Sequence, residues 1–133
     1  MPEILVILGS SMGSQNPMST LSRLKVLGSM LACSALYASR DRTGGARFYW
    51  NIGVRMQSEC SRSELQWVIK QIQGWQDLAI STVDIDLMFY AGLCLRPAEM
   101  SYDYVQVILE DLGYRYFCPF DRISELGVRK QRT

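Results

Sequence analysis

Two aspartates one residue apart are the residues of this chain whose type and spacing most directly suggest chemistry. Asp84 and Asp86 lie in the stretch STVDIDLMFYAG, where apolar and polar residues alternate with the period of a β-strand that has one buried face. The two carboxylates therefore share the other face, about 7 Å apart, and repel each other mildly. A divalent cation would offset this repulsion, because Mg²⁺ takes oxygen ligands and commonly joins one or two carboxylates to substrate phosphates. The alternative is a pair of solvated charges that protects a sheet edge from aggregation.

An earlier strand, predicted over residues 48–57, alternates in the same way as the strand predicted over residues 82–90. The positions predicted to face the core are Phe48, Trp50, Ile52, Val54 and Met56 in the earlier strand, and Val83, Ile85, Leu87 and Phe89 in the later one. The positions predicted on the opposite face are Tyr49, Asn51, Gly53, Arg55 and Gln57, and Thr82, Asp84, Asp86, Met88 and Tyr90. If both apolar faces meet the same helices, the polar side chains of the two strands converge on one open face.

The other predicted elements surround these two strands. In chain order they are a strand at residues 4–8, a helix from about residue 19 that carries Leu21, Leu24, Leu27 and Leu31 inward, a strand at about 34–39, a helix at 61–74 and a helix at 101–113. Ser61 and Glu64 have the spacing of a capping box, and Gly113 is a typical helix stop. The order β-α-β-β-α-β predicts a ferredoxin-like α+β domain, with an antiparallel sheet, helices on one face and an appended C-terminal helix.

Composition narrows the classes of protein. The 133 residues, 48% of them hydrophobic, predict a single domain over residues 1–133 with a core of its own and a frayed tail at 127–133. The formal net charge of +1 gives no overall field for nucleic acid or an anionic membrane. No stretch approaches the roughly 20 apolar residues of a membrane span, and none resembles a secretory signal, which predicts a cytoplasmic protein. The chain has no histidine, so catalysis would depend on carboxylates, metal and positioning.

An RNA-binding module is one alternative. The aromatic stretch RFYWN lies on the third predicted strand, and RNA-recognition modules stack bases on aromatic residues of their strands. However, the first strand, EILVILG, has no aromatic residue for a second stacking position, and the net charge is close to zero. Nucleic acid is therefore not the expected partner.

Four stretches of the chain carry a family resemblance. They are ILGSSMGS near the start, LYASRD on the second predicted strand, FYWNIGVRMQS with the following helix SELQWVIKQIQ, and STVDIDLMFYAG. Their order and approximate spacing, over about residues 4–112, resemble the 6-hydroxymethyl-7,8-dihydropterin pyrophosphokinases of folate biosynthesis. The resemblance implies a ferredoxin-like fold, ATP as donor of a pyrophosphoryl group to the pterin hydroxymethyl, and two Mg²⁺ ions.

The resemblance also implies roles for four residues. Asp84 and Asp86 would hold the two Mg²⁺ ions, Tyr49 would stack on the pterin ring, and Asn51 would form hydrogen bonds with the polar edge of the ring. These roles agree with the open face inferred from the alternation. They also suit the chemistry, because phosphoryl-type transfer depends mainly on charge neutralisation and alignment.

Several cations of the family pattern are missing here. The family has an arginine-rich loop before its D-x-D, whereas this chain has GWQDLAISTV. Gln73, Ala98 and Tyr104 align approximately with a family acidic residue, histidine and arginine. The candidate replacements for the phosphate-binding arginines are Arg40, Arg42, Arg47 and Arg55, followed by Arg96 and Arg115, although each alone is typical of a solvated surface.

Two hypotheses follow for the function. In the first, the protein is a working ATP- and Mg²⁺-dependent pyrophosphokinase with a rearranged phosphate site. In the second, it is a catalytically degenerate paralogue that binds a pterin-like ligand or a protein partner. The retained Asp84 and Asp86 favour the first hypothesis, and the lost cations favour the second. The sequence leaves the oligomeric state open.

Overall fold

A computed structural model describes residues 2–11, 17–40, 48–74 and 83–114. Six strands of these residues form one antiparallel sheet. They are β1 (Glu3–Ser11), β2 (Ser29–Cys33), β3 (Tyr37–Arg40), β4 (Phe48–Gln57), β5 (Asp84–Tyr90) and β6 (Leu93–Cys94). The order across the sheet is β2-β4-β1-β5-β6. β2 and β3 both pair with the same edge of β4: β3 pairs with its first half, and β2 pairs with its second half. The continuous apolar run of β1 is explained by this central position, which buries both of its faces.

Two α-helices and two 3-10 helices belong to the described residues. They are the 3-10 helix Pro17–Leu27, α1 (Arg62–Gly74), the 3-10 helix Pro97–Ser101 and α2 (Asp103–Asp111). The predicted capping box is present at α1, because the Ser61 N–H donates to Glu64 Oε1 at 2.9 Å and the Glu64 N–H donates to Ser61 Oγ at 3.2 Å. The predicted stop is also present, since Gly113 has a φ of 62° and follows α2. None of the described helices is long and apolar enough to cross a bilayer.

The helices cover both faces of the sheet. Ile4, Val6 and Leu8 of β1 pack in one core with the 3-10 helix Pro17–Leu27 and with α1, so we call this side the α1 face. Leu5 and Ile7 pack in a second core with the 3-10 helix Pro97–Ser101 and with α2, and we call that side the α2 face. The two helices predicted to share one face therefore do so, while the appended helix covers part of the opposite face.

Three details of the predicted elements are wrong. The first helix is a 3-10 helix that ends at Leu27, and Leu31 is exposed in β2 instead of packing inward. The helix ends at Leu27 because the next residue, Gly28, has a φ of 154°. A Cβ at Gly28 would lie 2.0 Å from the Gln57 carbonyl oxygen, so only glycine fits there. The strand predicted at 34–39 begins only at Tyr37, as β3, and a separate strand, β2, precedes it at Ser29–Cys33. The Ser34 hydroxyl accepts the Gly53 N–H at 2.8 Å and interrupts the ladder between the two strands.

The third difference is a β-bulge at Met88. Leu5 pairs with Phe89 but Val6 pairs with Leu87, so one extra residue lies between them on β5. A bulge reverses the alternation beyond it. Phe89 therefore packs in the α2-face core instead of joining Ile85 and Leu87, and Tyr90 packs on the α1 face, where its hydroxyl donates to the Cys60 carbonyl at 3.1 Å. The predicted facing is correct for Asp84 to Leu87 and wrong for Phe89 and Tyr90; Thr82 lies outside the described residues.

Candidate functional site

A pocket of about 1020 Å³ opens beside the end of β1 and the starts of β4 and β5. Its sheet wall is formed by α2-face residues of these three strands, next to the surface that α2 covers. These residues are Ile7, Gly9, Tyr49, Asn51, Asp84 and Asp86. The structure thus brings Tyr49, Asn51, Asp84 and Asp86 together in one concave region, on the sheet face opposite α1. Asp84 is exposed and Asp86 is half-buried, so neither carboxylate lies beneath a helix.

Gly9 keeps the floor of the pocket open between the predicted pterin-binding and metal-binding residues. It pairs with Asn51 on one side and with Asp84 on the other. A Cβ at this position would lie 3.2 Å from Asn51 Oδ1, closer than an ordinary carbon contact. The absence of a side chain therefore leaves space between Asn51 and Asp84, which both line the cavity.

Asn51 is held in one orientation by the neighbouring strand β3. It is only 5% exposed, and its Nδ2 donates to Ser39 Oγ at 2.8 Å and to the Tyr37 carbonyl at 3.3 Å. Both donor hydrogens are used within the protein, which leaves Oδ1 as the acceptor nearest to Gly9. This arrangement suits a ligand that presents an N–H group at the floor of the pocket.

Arg96 places a positive charge beside Asp86. Its Nη1 lies 3.6 Å from Asp86 Oδ1, and its Nε donates to Glu99 Oε2. Burial lowers the pKa of Arg96, but the hydrogen bond to Glu99 and the charges of Asp86 and Glu99 outweigh it and raise the pKa. The site therefore holds a cation that is charged at any ordinary pH and paired with two carboxylates.

The pocket continues around the edge of β5 toward α1. Ile85 and Leu87, which belong to the α1 face, also line it. Within the described chain, β6 pairs with β5 only at Phe89 and Tyr90, so the first half of this edge stays uncovered by another strand. The residues that α1 contributes are Arg62, Gln66, Ile69, Lys70 and Gln73.

Apart from Gln73, which the resemblance aligns with a family acidic residue, these α1 residues were not predicted as part of the site. Arg62, Gln66, Lys70 and Gln73 recur every three or four residues, so the sequence does place them on one side of the predicted helix. The periodicity identifies the polar side of the helix, but it does not indicate which strand edge that side will face. Periodicity alone therefore could not assign these residues to the pocket. Glu99 was missed as a lining residue for the same reason, whereas Tyr104 lines the pocket at the position that the resemblance aligns with a family arginine.

The predicted phosphate-binding arginines separate into three groups. Arg40 lines the pocket, and its guanidinium lies 5.6 Å from the centre of the Phe48 ring. Arg42, Arg47 and Arg115 lie outside the described residues. Arg55 does not line the pocket, because it forms an ion pair with Glu3 at 2.7 Å and donates to the Leu112 carbonyl at 3.0 Å. These two contacts join the end of α2 to β1 and β4.

The described residues contain no group of three or more histidine, cysteine, aspartate or glutamate side chains that could enclose a metal ion. Two carboxylates can still bind Mg²⁺, because this ion usually keeps several waters and completes its shell with substrate phosphates. Asp84 and Asp86 fit that kind of shared, incomplete site.

Comparison with known proteins adds no family assignment. No protein-family model matches the chain, and no curated protein matches it significantly.

Proposed function

We propose that this protein is a ferredoxin-like, ATP- and Mg²⁺-dependent pyrophosphokinase that acts on a 6-hydroxymethyl-7,8-dihydropterin. One observation carries the proposal: Tyr49 and Asn51, the predicted pterin residues, line the same pocket as Asp84 and Asp86, the predicted metal residues. The sheet order β2-β4-β1-β5 supports the ferredoxin-like interpretation of the fold. A pocket of about 1020 Å³ is also at the upper end of the range for small-ligand sites, which suits two ligands bound side by side.

The proposed division of the pocket follows from the chemistry of its walls. Tyr49 is half-buried and offers a ring face for stacking, while the Asn51 carbonyl oxygen accepts an N–H of the pterin. Bound Mg²⁺ supplies charge neutralisation on the phosphates. Four cationic side chains surround the remaining space for the phosphate chain of ATP: Arg40, Arg62, Lys70 and Arg96.

The proposed reaction is a displacement at the β-phosphorus of ATP. The hydroxymethyl oxygen of the pterin forms a bond to this phosphorus, and the bond from it to the oxygen that bridges to the α-phosphate breaks. AMP leaves with that oxygen and its electron pair, and the hydroxyl proton passes to solvent. The described residues contribute alignment and charge stabilisation, which are the main requirements of phosphoryl-type transfer.

A second candidate function is ligand binding without transfer. Gln73 and Tyr104 both line the pocket, so two uncharged side chains stand inside the proposed site where the family pattern has an acidic residue and an arginine. In the family pattern the arginine serves the phosphates and the acidic residue grips the pterin. Tyr104 would therefore slow transfer, while Gln73 would weaken the polar contacts of the pterin and leave its stacking.

Calorimetric titration separates the two candidates. A 6-hydroxymethylpterin and a non-hydrolysable ATP analogue with Mg²⁺ are titrated singly and together, and AMP release is measured with ATP and reduced pterin. The double variant Asp84→Asn and Asp86→Asn should lose Mg²⁺-dependent nucleotide binding and keep pterin binding, whereas the control Asp103→Asn, at the exposed start of α2, should keep both. Pterin binding without AMP release supports the second candidate, and binding of neither ligand refutes both.

A further inference from the structure

Arg96 is held in the pocket by contacts that leave one end of its guanidinium directed at Asp86. The preceding residue is anchored to β5, because the Leu95 N–H donates to the Met88 carbonyl at 2.8 Å. The Arg96 carbonyl accepts the Glu99 N–H at 3.1 Å, and the Arg96 Nε donates to the Glu99 carboxylate. The backbone and Nε are therefore fixed by the turn that starts the 3-10 helix Pro97–Ser101, and the Nη end points toward Asp86.

The contact between Arg96 and Asp86 is an ion pair that is easily replaced. The Nη1 to Oδ1 distance of 3.6 Å is longer than an ordinary N–H···O hydrogen bond. Arg96 has a side-chain exposure of 45% and Asp86 of 31%, so water screens the attraction and keeps it weak. A phosphate group placed within reach of the same Nη end would form a shorter, charge-assisted contact with two parallel hydrogen bonds.

We propose that Arg96 exchanges partners on ligand binding, from the Asp86 carboxylate in the ligand-free protein to a phosphate oxygen when a divalent cation occupies Asp84 and Asp86. This inference rests on the proposed metal site at the two aspartates. A cation held by Asp84 and Asp86 would compete with Arg96 for the Asp86 carboxylate and would repel the guanidinium. Glu99 keeps the guanidinium in the pocket, and the nearest remaining anion is then the phosphate that the cation itself has brought there.

The exchange gives Arg96 opposite effects on two ligands. Without phosphate it competes with the metal for Asp86 and weakens metal binding. With phosphate present it binds the phosphate and strengthens the complex. A residue with a merely structural role would affect both ligands in the same direction. Opposite shifts exclude that role, and a variant that keeps the positive charge separates the paired hydrogen bonds to phosphate from the effect of charge alone.

The test uses Mn²⁺ alone and inorganic tripolyphosphate with Mg²⁺ as the two probes, titrated against the whole chain. Arg96→Gln should bind Mn²⁺ about threefold more tightly, which corresponds to the loss of one half-exposed ion pair. It should bind tripolyphosphate about tenfold or more weakly, as expected for the loss of hydrogen bonds to a charged group. The control Arg23→Gln, on an exposed residue of the 3-10 helix Pro17–Leu27, should change neither affinity.

Arg96→Lys provides a second variant that keeps the positive charge. Its Mn²⁺ affinity should stay near that of the original protein, while its tripolyphosphate affinity still falls because lysine lacks the paired donors of the guanidinium. If the original protein binds both probes and the Arg96→Gln affinities are unchanged or move together, the exchange is wrong and the proposed function stands. If the original protein binds neither probe, the metal site and the exchange are both wrong.

Discussion

Gly53 allows α2 to pack directly on β4, and replacing it with alanine tests this packing. A Cβ at Gly53 would lie 2.2 Å from Ile108 Cγ2 and 3.2 Å from Leu112 Cδ1. Non-bonded carbons prefer about 3.5–4.0 Å, so the first contact overlaps severely. Ile108 is fully buried in the α2-face core, and α2 must therefore shift away from the sheet to admit the methyl group.

The expected loss of stability follows from two opposing effects. Overpacking of a core costs about 1–3 kcal/mol, and the short contact with a fully buried side chain places Gly53→Ala near the upper end. Replacing a strand glycine with alanine recovers about 0.5–1 kcal/mol of backbone entropy. The clash outweighs the recovered entropy, so we expect a net loss of about 2 kcal/mol in the free energy of unfolding.

Urea denaturation of a double-mutant cycle measures this effect. Ile108→Ala alone removes the clashing Cγ2 and leaves a cavity, at a cost of about 2–5 kcal/mol. In the double variant the new methyl group occupies part of that cavity, so its loss should be smaller than the sum of the single losses by about 1 kcal/mol or more. A Gly53→Ala protein as stable as the original, or strictly additive losses, would refute this account of α2 packing.

Three further predictions concern the pocket, the end of α2 and the start of α1. Gly9→Ala should weaken pterin binding in calorimetry with little loss of stability, because its methyl group would lie 3.2 Å from Asn51 Oδ1; unchanged affinity would argue against Asn51 as a ligand residue. Arg55→Met should destabilise the protein by about 1–2 kcal/mol in urea denaturation and leave tripolyphosphate affinity unchanged, and a weakened affinity would return Arg55 to the phosphate site. The hydrogen bonds from Ser61 lower the pKa of Glu64 below its ordinary value of 4.5, so the stabilisation from this carboxylate is complete above that value and is lost as the pH falls through the lowered pKa. Glu64→Gln should therefore flatten the acid side of the stability profile, and an unaltered slope would contradict the capping role.

Short-range features of the sequence were sufficient for much of the framework. The capping box depends on two residues three positions apart, and the stop of α2 depends on one glycine that adopts a positive φ. The alternation of β4 was enough to place Tyr49 and Asn51 on one face, because successive side chains of a strand point to opposite sides. Asp84 and Asp86 share that face for the same reason.

Features that depend on pairing partners were not readable from these patterns. The bulge at Met88 arises where β5 pairs with Leu5 and Val6 of β1, and no local pattern in β5 marks it. The division between β2 and β3 is held partly by Asp111, which accepts the Ala35 N–H at 2.7 Å from 76 residues away. A strand register is set by both strands together, so one strand read alone cannot supply it.

The alternation of apolar and polar residues was sufficient to predict the faces on which the proposed ligand residues lie, since those faces follow from local backbone geometry. Which charges reach those faces depends on how the helices and strands pack. Arg55 has the face that the alternation predicts but is bound by Glu3 and the Leu112 carbonyl, whereas Arg62, Lys70 and Arg96 line the pocket. Long charged side chains contact whatever the packing of helices and strand edges brings within their reach, and that packing joins residues distant in the chain.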